Sequence, residues 1–516
     1  MSEADPTAAR ARAVARDALD ELRERLPELQ PVTNTARVGQ VLSVADGVAT
    51  ATSMHRPFAG ELVDVGGVLA VAEDLQEGRT RLVLLSEAHG VEAGTPARRL
   101  GRLVEVPAGL ELIGRVVDPL GRPLDGRGPL VTRRRVRAEG LPIPLAEREP
   151  VSRPLRTGVF AIDTMIPIGR GQRQLVIGDR STGKTELCLD ILAGLDEDTV
   201  GIYVAIGRRG SDAAAHVQWL QDAGVLQHGV AVVTDADDPV GLVHLAPYSA
   251  TTMAEEIAEQ GRDVVIVYDD LTAHAHAHRT LALLMGRPVG REAHPADVFY
   301  AHARLLERAT QLGAVRGGGS ITAFPIVETQ AGDLTGYIPT NLVSITDGQI
   351  RLDAGLAAAD VVPAVDVALS VSRVGGKAQP PLLRKLSGSF KNRYAQFLEL
   401  ETFARFGTRL EASAQAVVDW GRRVRRVLRQ DRGTSHDWSD TIARLLLVQA
   451  EGFERLPLGG LDELVQRGRA RLALEPTFRA MAPEAPKVDD EQLARLRATG
   501  DRVVASLLEP ASEAPG

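Results

Sequence analysis

The feature that most narrows what this chain can fold into is one loop, Gly178-Asp179-Arg180-Ser181-Thr182-Gly183-Lys184-Thr185. It lies between an apolar run, QLVIG, and a helical stretch, TELCLDILAGL. The spacing G-x-x-x-x-G-K-T between a strand and a helix is a phosphate-binding signature. Glycines 178 and 183 let the backbone curl so that its N–H groups face an anion, and the helix N-terminus adds its dipole. Lys184 is expected to reach the β- and γ-phosphates, and the Thr185 hydroxyl to ligate Mg²⁺. Lys184 stands out for a second reason. Only Lys377, Lys385, Lys391 and Lys487 accompany it in a chain whose cations are otherwise arginine.

The loop needs a sheet to carry it. QLVIG, VGIYVAIG, GVAVVTDA, RDVVIVYDD and SITAFPIVET are short Val- and Ile-rich runs spread over residues 170 to 375. Runs of this kind are buried on both faces of a parallel sheet, and the helical stretches between them predict an α/β layer structure. RDVVIVYDD ends in Asp269 and Asp270 after the apolar run Val264 to Tyr268. Asp269 is the expected water-mediated Mg²⁺ ligand. A helix-capping role is the alternative for either aspartate.

The flanks differ in texture. Between Arg37 and Val104, VGQVLSVADGVATA, GELVDVGG and TRLVLLSE alternate apolar and polar residues between Gly and Asp turns, which predicts a small β-barrel. After about Gly388, Leu/Arg/Glu segments predict a helical domain. Residues 7 to 26 read as an amphipathic helix, either packed on its own protein or docked on another subunit. The predicted organisation is therefore a helix over 1–33, a β-barrel over 34–104, an α/β P-loop domain over 105–387 and a helical domain over 388–516. The last residues of that domain are expected to be frayed.

Composition removes several function classes. A net charge of -8 and a pI near 5.9 argue against a general nucleic-acid binder. The single cysteine, Cys188, falls inside a predicted helix, so no disulfide framework is expected and Cys188 reads as a small buried hydrophobe. No apolar run approaches the ~20 residues that span a bilayer, and the acidic N-terminus has no signal core. Any membrane association is expected through partners.

PIGRGQRQLVIGDRSTGKT, VVIVYDDL, GREAHPADVFYAHARLLERA, ETQAGDLTGYIPTNLVSITDGQI and PAVDVALSVSRVG together resemble the α subunits of F-type ATP synthases, over about residues 35 to 430. The resemblance implies an N-terminal β-barrel, a RecA-like nucleotide domain and a C-terminal α-helical domain. It implies bound ATP or ADP with Mg²⁺, and an alternating hexamer with β subunits around a central γ subunit. Peripheral stalk subunits would meet the N-terminal helix. The complex would sit on the cytoplasmic face of a bacterial inner membrane, coupled to proton or sodium translocation by its membrane sector.

The related β subunits carry a glutamate, within Gly-Glu-Arg, after the strand that follows the P-loop helix. Here that strand ends in Arg208-Arg209-Gly210. Arginine cannot serve as the base that orients water. Members of the α family usually carry glutamine at this position, so Arg208 departs even from them; it either points at phosphate or pairs with a nearby acid. By the resemblance, Arg373 in Ser370-Val-Ser-Arg-Val-Gly is a catalytic arginine finger for the adjacent β subunit, positioned by Ser370 and Ser372. Gln430 matches an adenine-side contact. Ala357, Val362 and Arg432 replace the family's usual base-pocket residues, and Ser181 replaces a common glutamine. These replacements predict an intact phosphate cradle beside an altered base pocket.

Three other readings compete. An active secretion-type ATPase would need the glutamate that Arg208 replaces. An RNA translocase would need base-stacking aromatics in the barrel, where Phe58 stands alone between Arg37 and Val104. A structural subunit without nucleotide has the complete phosphate loop against it.

Overall fold

Alternation of small apolar and polar residues near the start of the chain closes a sheet on itself. In the computed structural model, which describes residues 38–52, 54–405, 411–481, 483, 487 and 489–509, six strands build the barrel. They are β1 (Val38–Ala45), β2 (Val48–Thr52), β3 (Glu61–Val65), β4 (Val68–Gln76), β5 (Arg79–Leu84) and β6 (Pro96–Leu103). They pair in the order β1-β2-β5-β4-β3-β6, and β6 returns to β1. Period-two geometry sends Val41, Ala49, Val63, Ala70, Leu82 and Ala97 into the interior. Closure leaves no strand edge open to other chains. The helix expected over 7–26 and the frayed end at 510–516 lie outside the described residues.

The central domain is built on a ten-stranded sheet. Its main path uses β7 (Val116–Val117), β8 (Leu175–Asp179), β9 (Thr199–Arg208), β10 (Gly229–Asp235), β11 (Asp263–Asp269), β12 (Ser320–Thr329), β13 (Gly348–Leu352) and β14 (Val371–Ser372). The order across the sheet is β14-β13-β8-β12-β11-β9-β10-β7, parallel except for the edge strand β14. The expected runs become these strands because both of their faces are covered. In β11 everything from Val264 to Asp269 is buried. Helices α1 (Lys184–Ala193), α2 (Gly210–Asp222), α3 (Val240–Ala258) and α4 (Leu271–Leu284) pack on the sheet, and α5 (Val298–Leu306) packs on α3 and α4. Parallel alignment brings the ends of β8 and β11 to one edge, where ligands of such sheets bind.

Beyond Gly388 the structure is helical as expected, with α6 (Phe390–Arg405), α7 (Ala412–Leu428), α8 (Trp438–Gln449), α9 (Leu461–Leu474) and α10 (Asp490–Leu508). The apolar core does not stop at the junction. Val176, Leu187 and Tyr203 of the central domain belong to the same buried cluster as Phe390, Phe397 and Trp420. Phe160 bridges the two parts, its ring 6.2 Å from Phe390, which in turn meets Trp420 edge-on at 6.0 Å. Gly421 is required there, since a Cβ would fall 1.9 Å from the Phe397 ring. Cys188 is fully buried in this core, as its place in α1 suggested. Among the described residues no helix is long and apolar enough to cross a membrane.

Candidate functional site

The phosphate loop leaves β8 and enters α1. Gly178 is pressed against the next strand: a Cβ would meet the Leu352 carbonyl oxygen at 2.7 Å. Gly183 has φ +91°, and Ser181, at φ +62°, holds a left-handed turn that few side chains adopt. The loop is tied at its base. Asp179 Oδ1 accepts from Thr329 Oγ1 (2.6 Å) and from the Gly332 N–H (2.8 Å), while its carbonyl accepts from Thr182 Oγ1 (2.8 Å). Arg180 and Ser181 are exposed at the tip; Thr182, Lys184 and Thr185 are buried. The Lys184 ammonium folds back to donate to the Asp179 carbonyl at 2.6 Å. Burial lowers its pKa against the pull of Glu328 and Asp270. Gly183 caps α1 without any side-chain bond, so the first-turn N–H groups have no side-chain acceptor.

Across the sheet, Asp269 is fully buried at the tip of β11 and gathers three donors. The Thr185 hydroxyl lies 3.2 Å from both of its oxygens, the Tyr203 hydroxyl donates at 2.8 Å, and Arg208 Nη2 donates to Oδ1. The same Nη2 also donates to Thr185 Oγ1 at 2.7 Å. Arg208 therefore takes the second course left open by its sequence: it pairs with an acid. Burial works against its charge, but Asp269 and then Asp270 outweigh it and raise the pKa. Asp270 caps α4 by accepting from the Ala273 N–H at 2.7 Å. Burial, and after it the charge of Asp269, push the Asp270 carboxyl up to about 6.

This arrangement corrects the metal expectation. Thr185 and Asp269 do come together, but a guanidinium already bonds the oxygens Mg²⁺ would take. Mg²⁺ needs oxygen ligands at ~2.0–2.1 Å in near-octahedral geometry, and a fixed cation 2.7 Å from the Thr185 oxygen conflicts with that. As arranged, these residues do not fit Mg²⁺. Tyr203, the lone aromatic in VGIYVAIG, was missed by sequence reasoning; its place in an otherwise aliphatic strand was the available signal.

Arg373 lies elsewhere. Ser372 of β14 pairs with Gly348, the first residue of β13, and β13 runs parallel to β8. Arg373 thus leaves the sheet at the end opposite to the phosphate loop. Its N–H is held by the Asp347 carbonyl at 2.9 Å, and its side chain is exposed with only a long contact, 3.4 Å, to the Val343 carbonyl. No ion pair to Arg373 forms among the described residues.

Ser370 has its hydroxyl bonded within the fold. It is fully buried, accepting from the Arg351 N–H (2.9 Å) and donating to the Asp366 carbonyl (2.6 Å). Its hydroxyl closes the turn before β14. Ser372 donates to the Pro167 carbonyl at 2.6 Å and fixes the strand directly before Arg373.

Gln430 is also differently used. Its Oε1 accepts from the Phe160 N–H (3.2 Å), and its Nε2 donates to the Gly158 (2.8 Å) and Thr434 (2.7 Å) carbonyls. The amide is spent on its own chain, so an adenine contact would have to break these bonds. Arg432 covers the Trp219 ring at 5.0 Å. Val362 is partly exposed, and its carbonyl accepts from the Gln430 N–H at 2.8 Å.

Comparison with known proteins matches three family models in register with this architecture. Residues 34–101 match the beta-barrel domain of the ATP synthase alpha/beta family, 158–372 its nucleotide-binding domain, and 379–501 the C terminal domain of the ATP synthase alpha/beta chain. The chain is 46% identical to ATP synthase subunit alpha 2 of Albidiferax ferrireducens, over 95% of this chain and 92% of that one. It is 48% identical to ATP synthase subunit alpha 2 of Syntrophotalea carbinolica, over 93% and 90%. With ATP synthase subunit alpha of Staphylococcus aureus the identity is 47%, over 80% and 82%.

Proposed function

This chain belongs to the ATP synthase alpha/beta family and, within it, to the α subunits, and we propose that it is the non-catalytic member of a rotary, ion-translocating ATPase. In this reading it holds ATP or ADP at its own loop and lends Arg373 to a catalytic site on an adjacent β subunit. The observation that carries it is the placement of Arg373, an exposed guanidinium without an ion pair among the described residues, at the sheet end opposite to its own phosphate loop. There, with no anionic partner among the described residues, it is open to an anion brought by another molecule. A planar, multidentate donor suits the charge that grows on γ-phosphoryl oxygens during transfer.

The non-catalytic half rests on the acids around the loop. Asp269 is bonded by three donors, and Asp270 gives one oxygen to a helix cap while the other faces the Arg208 guanidinium. Arg208 stands where a base would be needed. The reading includes β and γ partners, a peripheral stalk and a proton- or sodium-conducting membrane sector that holds the complex on the cytoplasmic face of the inner membrane. Steady-state ATPase on the purified chain tests the first half: nucleotide should bind without sustained turnover, and a rate above ~1 per second would rule the reading out.

A second reading, a structural subunit that binds no nucleotide, is favoured by one observation, the complete engagement of the Gln430 amide within its own chain. Equilibrium titration with ATP and ADP separates the two.

A further inference from the structure

We infer that Arg208 takes over the role of the divalent cation at this chain's nucleotide site, so that the site accepts nucleoside di- and triphosphates free of metal. The inference rests on the reading that the loop binds nucleotide, and it adds the chemical form of the ligand.

The register shift of β9 between Ala205 and Arg208 coincides with the step from Asp269, which lies opposite Ala205, to the end of the strand. The guanidinium bends over the tip of β11 and meets three oxygen groups: Thr185 Oγ1 at 2.7 Å, Asp269 Oδ1, and Asp270 Oδ2 at 3.9 Å from Nη1. The P-loop hydroxyl and the strand-end carboxylate are the oxygens a hard cation uses in such sites. Here they are joined by a permanent cation that cannot dissociate or be chelated. The guanidinium is anchored: Asp269 is fully buried and also bound by Tyr203 at 2.8 Å. One donor, the buried Nε–H of Arg208, has no acceptor among the described residues.

Lys184 and Arg208 stand together on the loop side, set against the carboxylates of Asp269, Asp270 and Glu328, and a guanidinium fork binds phosphate oxygens directly. A metal-chelated nucleotide would bring a divalent cation against Arg208 and compete with it for the Thr185 and Asp269 oxygens. Metal-free nucleotide meets no such competition.

The test is equilibrium titration of the purified full chain with ATP and ADP, once with EDTA and once with excess Mg²⁺, on the wild type and on Arg208→Gln. Wild-type affinities are expected to agree within about threefold between the two conditions. Arg208→Gln should weaken binding in EDTA by roughly tenfold or more relative to Mg²⁺. Wild-type binding that is tenfold or more tighter with Mg²⁺ overturns the inference while leaving the nucleotide site intact. Metal-independent binding by both proteins overturns the role given to Arg208. Binding under neither condition overturns this inference and the nucleotide reading beneath it. Should the variant not fold, judged by its thermal melt, the wild-type pair of titrations decides.

Discussion

The Lys184 ammonium bonds the carbonyl of Asp179, five residues back in its own loop, at 2.6 Å. A phosphate must replace that carbonyl as the acceptor. The exchange costs little, because a charged donor gains more from a charged acceptor than from a neutral one.

Lys184→Ala is therefore expected to weaken ATP binding by roughly 10- to 150-fold, the equivalent of ~1.5–3 kcal/mol for a hydrogen bond to a charged group. Nucleotide titration measures it, with circular dichroism to check the fold. A loss of less than about twofold would mean that the lysine stays bound to its own loop.

Arg373→Ala should assemble with β subunits and still permit nucleotide binding, yet slow ATP hydrolysis by the hexamer by roughly 10³- to 10⁵-fold. Arg373→Lys should recover little, since an ammonium lacks the planar fork. Multi-turnover ATPase on reconstituted hexamers, with assembly followed by size-exclusion chromatography, is the measurement. An Ala variant that assembles and keeps even about a tenth of the activity removes Arg373 from the role.

Gln430→Ala should act on stability. Two side-chain bonds join the Gly158–Phe160 segment to the loop after α7 and a third, to Thr434, braces that loop, and losing them is expected to cost ~2–4 kcal/mol. The ratio of ATP to GTP affinity should move by less than about twofold. Chemical denaturation and paired titrations decide; a large change in selectivity with unchanged stability would return Gln430 to the base pocket.

Acid should destabilise the chain through its histidines. His274 and His302 are fully buried with ring centroids 5.5 Å apart, and His274 also stacks on His244 at 4.8 Å. Among the described residues His302 Nε2 has no hydrogen-bond partner, and His274 has at most a weak backbone contact to His244. Burial, aided by neighbouring His278, lowers His302 to about 3 and His274 well below its ordinary value. The unfolded chain takes up these protons near pH ~6.5 while the native state refuses them. Stability is thus full above that pH and falls below it by ~1.4 kcal/mol per pH unit for each group. Urea melts between pH ~7 and ~5 should show the slope, and His274→Leu should flatten it by about one proton. A pH-independent midpoint over this range in the wild type would refute the prediction.

Much of this was legible in the sequence, for identifiable reasons. SITAFPIVET and RDVVIVYDD became strands because both faces of the central sheet are covered, so their apolar runs carry no competing pattern. The phosphate loop was legible because its glycines answer to backbone geometry alone. Contacts between distant elements were not legible. Nothing local says that Arg208 spans two strand ends to reach Asp269, or that Gln430 spends its amide on the Gly158 segment. The histidines show the same limit. His274, His276 and His278 alternate in LTAHAHAHRT, but only the packing of α3 and α5 against α4 brings His244 and His302 onto one of them.

The apolar cluster that runs without a break from Val176 and Leu187 through Phe160 to Phe390 and Trp420 has a mechanical meaning. A hinge between the sheet and the C-terminal helices would have to pry apart aromatic rings that no water reaches, and close-packed interiors transmit strain with little give. The helices are thus welded to the strand that carries the phosphate loop. A load on these helices is carried by the same buried core that holds Val176, two residues before Gly178.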